Sequence, residues 1–159
     1  MIELERKYLW FKLPNCQPTR ILEIKQFYTL GRLRYREEVD LATGCKEYFQ
    51  TFKKDSYVLS IGDEKFVGRN EDEISITFED YQRGYDKCIS NIVKKTRYVY
   101  KDATHVWSGD IFNHLIVGEL ELYSNSYLQE NDKYYNEISK VIIPNCEINF
   151  TNFDISKLV

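Results

Sequence analysis

The sequence predicts a mainly β protein of the α+β class, in which antiparallel strands form a barrel with a polar, charged interior and flanking helices. Aromatic residues make up 15% of the chain and include 13 Tyr, a composition that favours strands. Several segments alternate between apolar and charged residues, so that each predicted strand has one apolar and one ionic side. The ionic side recurs along the chain, and this recurrence favours a polar interior.

Length and charge limit the class of protein. The 159 residues suffice for one hydrophobic core, so we expect a single domain over residues 1–159. The net charge of -3, from 22 basic and 25 acidic residues, gives no overall attraction to DNA or an anionic membrane. No apolar run approaches the ~18 residues of a membrane span. We therefore expect a cytoplasmic protein with neither DNA nor a membrane as partner, and its oligomeric state stays open.

The first predicted strand is IELERKYLW, with Ile2 and Leu4 on one side and Glu3, Glu5 and Lys7 on the other. Two prolines then interrupt the pattern, and TRILEIKQFYTLG predicts a short helix or turn that leads into a strand over residues 24–28. The segments RLRYREEV, GCKEYFQTFKK, SYVLSIG and EDEISITF continue as strands of an antiparallel meander.

The hydrophobic period changes after the meander. Apolar residues recur at helical spacing between Tyr81 and Ile92, which predicts an amphipathic helix over residues 79–92 with acidic residues in its first turn. KKTRYVYKD, HVWSGDIF and LIVGELELY restore the strand pattern. SNSYLQENDKYYNEISK predicts a second helix, which a Ser or Asn cap would begin.

Six further segments repeat the ionic side of the first strand. A charged side that meets water would explain any one of them, since many sheets have one solvated face. Their repetition instead favours a polar interior. The residues concerned are Arg34 and Arg36, Lys53, Glu71 and Glu73, Lys95 and Arg97, Asp110, and Glu119 and Glu121.

Cysteine and histidine carry no predicted chemistry. Cys16, Cys45, Cys88 and Cys146 are far apart and contain no C-x-x-C pair, so we expect reduced, buried thiols and no zinc site. The two histidines, at positions 105 and 114, fall in a predicted turn and loop, where we expect surface or structural roles.

Seven short motifs, in order, resemble those of the triphosphate tunnel metalloenzymes, also called the CYTH superfamily. IELERK matches the family's E-x-E-x-K, and LRYRE is similar to its R-x-R strand. FQTFKK resembles its lysine strand, GRNEDEI its R-x-E-x-E, and VKKTRYVY its K-T-R-Y segment. WSGDIF is similar to W-E-x-D-x-F, and GELEL to A-E-V-E-L.

The resemblance implies an eight-stranded antiparallel tunnel that binds a small-molecule triphosphate. It implies that divalent cations, two Mg²⁺ or Mn²⁺, are held by Glu3, Glu5, Asp110, Glu119 and Glu121, since hard carboxylate oxygens suit these ions. It implies phosphate binding by Lys7, Arg34, Arg36, Lys53, Lys95 and Arg97, with Glu3, Glu5, Lys7 and Asp110 closest to the chemistry. Glu71 and Glu73 would either anchor the basic residues or form a solvated face.

The family includes hydrolases and cyclases, so three activities stay open. The first hypothesis is metal-dependent hydrolysis of the terminal phosphate of inorganic tripolyphosphate or of a nucleoside or other organic triphosphate. The second is adenylyl cyclase chemistry on ATP, and the third is a binding module without turnover. Two departures keep the third hypothesis open: Ser108 stands where the family has glutamate, and the tail KVIIPNCEINFTN lacks the expected glutamate.

Overall fold

The structure is a computed structural model, and it describes residues 2–10, 12–61, 64–101, 106–113, 115–121 and 139–143. Side chains are described at residues 10, 12–52, 71–101, 106–113 and 115–119.

Within this part of the chain the fold is an antiparallel sheet with one helix. The strands are β1 (Ile2–Trp10), β2 (Arg20–Thr29), β3 (Leu33–Asp40), β4 (Lys46–Ile61), β5 (Glu64–Ile76), β6 (Val93–Lys101), β7 (Val106–Phe112), β8 (Leu115–Glu121) and β9 (Ser139–Ile143). The helix, α1 (Phe78–Tyr85), lies between β5 and β6 in the chain. The mainly β class with an α+β composition is therefore confirmed.

The order of the strands in the sheet is β5-β4-β3-β2-β6-β7-β8-β1-β9. Strand β1 also pairs with β5, through residues 2–5, so the ends of a series of eight strands are hydrogen-bonded to each other. Strand β9 pairs with β1 through residues 7–10. Among the described residues the sheet thus has nine strands, one more than the eight that the motifs implied.

Helix α1 covers the outer side of β3 and β4 with aromatic contacts. The Tyr81 ring packs edge-on against Phe27, with centroids 5.3 Å apart, and contacts Tyr48 at 5.1 Å. Thr77 caps the helix, since its hydroxyl accepts the Asp80 N–H at 3.1 Å. This packing leaves the opposite side of the same strands for polar residues.

The helix is shorter than predicted, because it ends at Tyr85 and residues 86–92 are not helical. The chain bonds instead to the end of β2, where the Ile89 N–H donates to the Tyr28 carbonyl at 2.9 Å. The Tyr28 N–H in turn donates to Ser90 Oγ at 2.9 Å. These bonds satisfy backbone groups at the end of β2, where β6 no longer pairs with it. The helical spacing of apolar residues gives no sign of this long-range pairing.

Two strand boundaries also differ from the prediction. Residues 20–23 belong to β2 and form neither a helix nor a turn. The two strands expected between residues 44 and 62 are one strand, β4, with a shift in register between Lys53 and Ser56. A β-bulge of this kind absorbs turn-forming residues without ending the strand.

Most of the predicted second helix lies outside the described residues, although Ser139 and Lys140 belong to β9. The prediction of buried thiols is wrong for Cys16 and Cys45, which are exposed because they lie in the irregular connections before β2 and β4. Cys88 is half-buried, and Cys146 and both histidines lie outside the described residues.

We expect Gly84→Ala to destabilise the protein by about 1–3 kcal/mol, because a Cβ at this position would lie 2.5 Å from the Tyr35 ring. The ring has little room to move, since it stacks on Phe27 at 5.3 Å. Urea denaturation measures the change, and Gln82→Ala on the exposed side of α1 is the control. A gain in stability, as helix propensity alone would give, would contradict this packing.

Candidate functional site

The registers of β3 to β8 place the predicted basic and acidic residues on one side of the sheet, opposite to α1. Arg34 lies across from Thr51, which lies across from Glu73, and Arg97 lies across from Asp110. Directly opposed residues share a side of an antiparallel sheet. We call this side the ionic face, and its described members include Arg34, Arg36, Glu71, Glu73, Lys95, Arg97, Asp110 and Glu119.

The remaining predicted residues occupy positions in line with this face. Lys53 is registered opposite Glu71, Lys7 opposite Glu119, and Glu5 opposite Glu121. Glu3 is registered opposite Arg69, the arginine of the R-x-E-x-E motif. The side chains of Glu3, Glu5, Lys7, Lys53 and Glu121 lie outside the described residues, so their roles stay predictions.

Glu73 links the two arginines of β3. Its Oε1 atom accepts from Arg36 at 3.0 Å, from the Thr51 hydroxyl at 2.9 Å and from Arg34 at 3.5 Å. Glu71 contributes a weaker ion pair to Arg34, at 3.6 Å. The Glu73 side chain is also 36% exposed, so both predicted alternatives for Glu71 and Glu73, anchors of the basic residues or a solvated face, stay open.

Arg36 is held on three sides. Its Nε atom lies 3.0 Å from Glu38, and its guanidinium lies over the Phe49 ring at 5.6 Å. Burial lowers the pKa of Arg36 to about 10, and the nearby charges of Arg34 and Arg97 add to this effect. Arg36 is therefore a buried cation that two carboxylates and an aromatic ring fix in place.

A second cluster joins β6 to β7. Arg97 binds Asp110 through both carboxylate oxygens, at 2.7 and 2.9 Å, and Lys95 Nζ lies 2.7 Å from Asp110 Oδ2. Burial lowers the pKa of Lys95 to about 7, although Asp110 opposes the shift. Burial alone would raise the pKa of Asp110, but Arg97 and Lys95 outweigh it and hold the pKa at about 2.

Glu119 completes the described acidic part of the face. It is buried, and its charge raises the pKa values of Lys95 and Arg97. Its backbone is registered between Lys7 of β1 and Ser108 of β7. The described side chains contain no group of three or more His, Cys, Asp or Glu that could hold a metal ion. The side chains of the predicted metal ligands on β1, Glu3 and Glu5, are not among the described ones.

Three polar residues of the ionic face were missed in the sequence: Gln26, Glu38 and Thr51. Every second residue of a strand lies on the same side, so Glu38 could have been recognised two residues after Arg36, and Thr51 two residues before Lys53. Gln26 has no such signal, because the residues that precede it on this side of β2 are Leu22 and Ile24.

Fold and site together define an antiparallel β protein with a buried face of paired acidic and basic residues. Its fold resembles that of the inorganic triphosphatase NE1496, with a TM-score of 0.59 and 18% identity over 99% of this chain and 95% of that one. A second structure of NE1496 gives the same TM-score with 19% identity over 99% of each chain. The PH1819 protein of Pyrococcus horikoshii OT3 gives a TM-score of 0.56 with 18% identity over 79% of this chain and 81% of that one.

These likenesses, at identities of 18% and 19%, show that the chain shares the antiparallel β fold of these proteins. No protein-family model and no curated sequence matches the chain. The part of the chain that the structure describes contains no helix long and apolar enough to cross a membrane. The expected cytoplasmic location stays a prediction.

We expect Asp110→Asn to destabilise the protein by about 3–5 kcal/mol, because it leaves Lys95 and Arg97 buried without their shared carboxylate. Urea denaturation at neutral pH measures the loss, and Glu23→Gln on the exposed side of β2 should change stability by less than about 0.5 kcal/mol. A similarly small effect of Asp110→Asn would show that the ion pairs contribute little.

We also expect stability to depend on Asp110 at acid pH. Because folding lowers the pKa of Asp110 to about 2, its contribution is complete above the unfolded pKa of about 4 and is lost as the pH falls towards 2. Denaturation midpoints between pH 5 and 2 measure this dependence. The stability of Asp110→Asn should fall less steeply with decreasing pH than that of the wild type. An equally steep fall would assign the loss of stability to other carboxylates.

Proposed function

We propose that the chain is a triphosphate tunnel metalloenzyme of the CYTH superfamily, a metal-dependent phosphohydrolase that cleaves the terminal phosphate of a linear triphosphate. The observation that carries this proposal is the convergence of buried cations on one sheet face. Arg34, Arg36 and Lys95 are all buried, although such side chains are rarely buried without a functional or structural partner.

In this proposal the eight strands from β5 to β1 enclose a tunnel, and the ionic face is its wall. The pairing of β1 with β5 supports this arrangement, because it joins the first and last strands of the series. A tunnel would also explain why charged side chains on the sheet face opposite to α1 are buried. The substrate would be a small-molecule triphosphate that enters along the tunnel axis.

The basic residues would bind the phosphate oxygens. Arg34, Arg36 and Arg97 offer planar forks that can hold two oxygens each, and Lys95 offers a compact charge. Each of the four is already positioned by a carboxylate, so little reorganisation would accompany binding. Lys7 and Lys53, at their register positions, would extend the basic wall.

The carboxylates of β1 and β8 fit a divalent cation by their chemistry. Glu5 is registered opposite Glu121, and Glu3 and Glu119 lie two residues away from them along β1 and β8, so these four carboxylates would offer the hard oxygen donors that suit Mg²⁺ or Mn²⁺. When bound, such ions would neutralise phosphate charge and activate water. Asp110 fits this role less well than predicted, because both of its oxygens already contact Arg97 or Lys95. We assign Asp110 to the positioning of these two cations.

A receptor that binds a triphosphate without turnover is the second candidate. Ser108 is buried directly opposite Glu119, at the position where the family motif has a glutamate. With Asp110 engaged by cations and Ser108 neutral, this side of the ionic face offers fewer acidic ligands than the motif implies.

The test is ³¹P NMR of the purified protein with Mg²⁺ or Mn²⁺ and tripolyphosphate, ATP, GTP or thiamine triphosphate. Orthophosphate together with a diphosphate would support hydrolysis and rank the substrates. Pyrophosphate together with a cyclic nucleotide would identify a cyclase instead. Signals that shift without being consumed would identify a receptor.

We expect Arg36→Ala to weaken tripolyphosphate binding by at least about 30-fold, or about 2 kcal/mol, because a charge-assisted contact is lost. Isothermal titration calorimetry measures the affinity. The control is Arg83→Ala, which removes an exposed arginine from α1. Equal affinities for Arg36→Ala and the wild type would place the phosphate elsewhere.

We expect Glu121→Gln to reduce Mg²⁺-dependent turnover by about 100-fold or more, because an amide is a much poorer ligand for a hard cation than a carboxylate. Turnover is followed by ³¹P NMR, with circular dichroism to show that the fold is intact. Glu79→Gln at the exposed start of α1 controls for a change of charge. Retained turnover would remove Glu121 from the metal ligands.

A further inference from the structure

Gln26 is a polar residue on the ionic face that the motifs do not assign. Its residue exposure is 0%, and within the described part of the chain neither its amide nitrogen nor its amide oxygen has a hydrogen-bond partner. On β2 it is registered directly opposite Arg36 of β3 and Val93 of β6. The amide is therefore enclosed on the ionic face, at the position next to Arg36.

A buried amide without hydrogen-bond partners lowers the stability of a protein. The neighbouring positions of β2 show that an apolar residue could stand in its place. Leu22 and Ile24 precede Gln26 on the same side of β2, and both are buried. An apolar residue at position 26 would therefore continue the local pattern without an unpaired polar group. Natural proteins depart from such a pattern mainly at functional sites, so Gln26 is best explained by a ligand that pairs with it.

The surroundings of Gln26 identify part of this ligand. Arg36 lies directly across the strand pair, and Lys95 is a diagonal neighbour, since it is registered opposite Ile24. A phosphoryl group bound by these cations would lie beside the Gln26 amide. The amide NH₂ group can donate to a phosphoryl oxygen, but the amide oxygen needs a donor, which an ionised phosphate does not have.

We propose that Gln26 is a catalytic residue that holds the attacking water against the phosphoryl group bound at Arg36. Its NH₂ group donates to a phosphoryl oxygen while its carbonyl oxygen accepts a hydrogen from the water. An amide carries both functions on one planar group, and it can orient a water molecule without taking its proton. This inference rests on the proposed hydrolase function and adds the residue that positions its nucleophile.

The step that Gln26 assists is a phosphoryl transfer to water. The water oxygen forms a bond to the terminal phosphorus while the bond from that phosphorus to the bridging oxygen breaks. The bridging oxygen keeps the electron pair and leaves as part of the diphosphate. The proton that the water loses passes to a phosphate oxygen, and Gln26 is unchanged at the end.

The test compares Gln26→Leu with Gln50→Leu. Gln50 lies on the side of β4 that faces away from the ionic face, and its amide donates to the Tyr35 hydroxyl at 3.0 Å. It is therefore a matched glutamine control outside the ionic face. Turnover of tripolyphosphate is followed by ³¹P NMR, binding of imidotriphosphate by calorimetry, and unfolding by thermal denaturation. Gln26→Met is the second variant if the leucine does not fold.

We expect Gln26→Leu to lower kcat by about 100-fold while KM and the affinity for imidotriphosphate change by less than about 3-fold. Its unfolding temperature should rise by about 3 °C, because an unpaired buried amide is removed. Gln50→Leu should keep kcat and lose stability. A residue that only fills space would not lower kcat and raise stability when it is replaced.

Three outcomes would overturn the inference. A raised KM with unchanged kcat would make Gln26 a binding residue for phosphate, and unchanged values of both would make it a packing residue. In both cases the wild type still hydrolyses its substrate, so the proposed function stands. A wild type that binds imidotriphosphate but releases no orthophosphate would overturn the proposed function and the inference together.

Discussion

Charge compensation on the ionic face is the constraint on which the rest of the structure depends. Each basic side chain described there has a carboxylate partner: Arg34 and Arg36 share Glu73, while Lys95 and Arg97 share Asp110. Removing these groups from water without such partners would cost far more free energy than the fold can supply. The antiparallel register supplies the partners, because directly opposed residues on adjacent strands point to the same side of the sheet.

The aromatic side of the sheet makes this arrangement possible. Tyr81 of α1 packs against Phe27 and Tyr48, and Trp10 forms a buried cluster with Tyr100 and Trp107. At Gly118 a Cβ would lie 2.1 Å from the Trp10 indole, so the absence of a side chain there lets the ring approach the sheet closely. The large aromatic side chains therefore cover this side of the strands, while buried apolar residues such as Leu22, Ile24 and Val93 also lie among the charges of the ionic face. The free energy of both sets of apolar contacts offsets the cost of enclosing the charges.

Much of this could be predicted from the sequence, because a period of two is a local property. The alternation in LRYREE places Arg34 and Arg36 on one side of their strand, and the alternation in VKKTRYVY does the same for Lys95 and Arg97, before any pairing is known. The pairings themselves could not be predicted: that Asp110 binds both Lys95 and Arg97 depends on the register between β6 and β7. Gln26 could not be recognised from the sequence either, since only the folded structure shows that its amide is buried without a hydrogen-bond partner among the described residues. The end of α1 likewise depends on hydrogen bonds to the distant Tyr28.

Strand β1 has a consequence for the order of folding. It is the first strand in the chain, yet it pairs with β5, β8 and β9, so its partners lie between about 60 and 140 residues away. Closing these long loops costs conformational entropy before the contacts of β1 can form. Because most other paired strands are closer in sequence, we expect the pairing of β1 to be the slowest step in forming the sheet. Until then, both edges of β1 are open to other chains. The strand that carries the E-x-E-x-K motif is therefore the element most exposed to misassembly during folding.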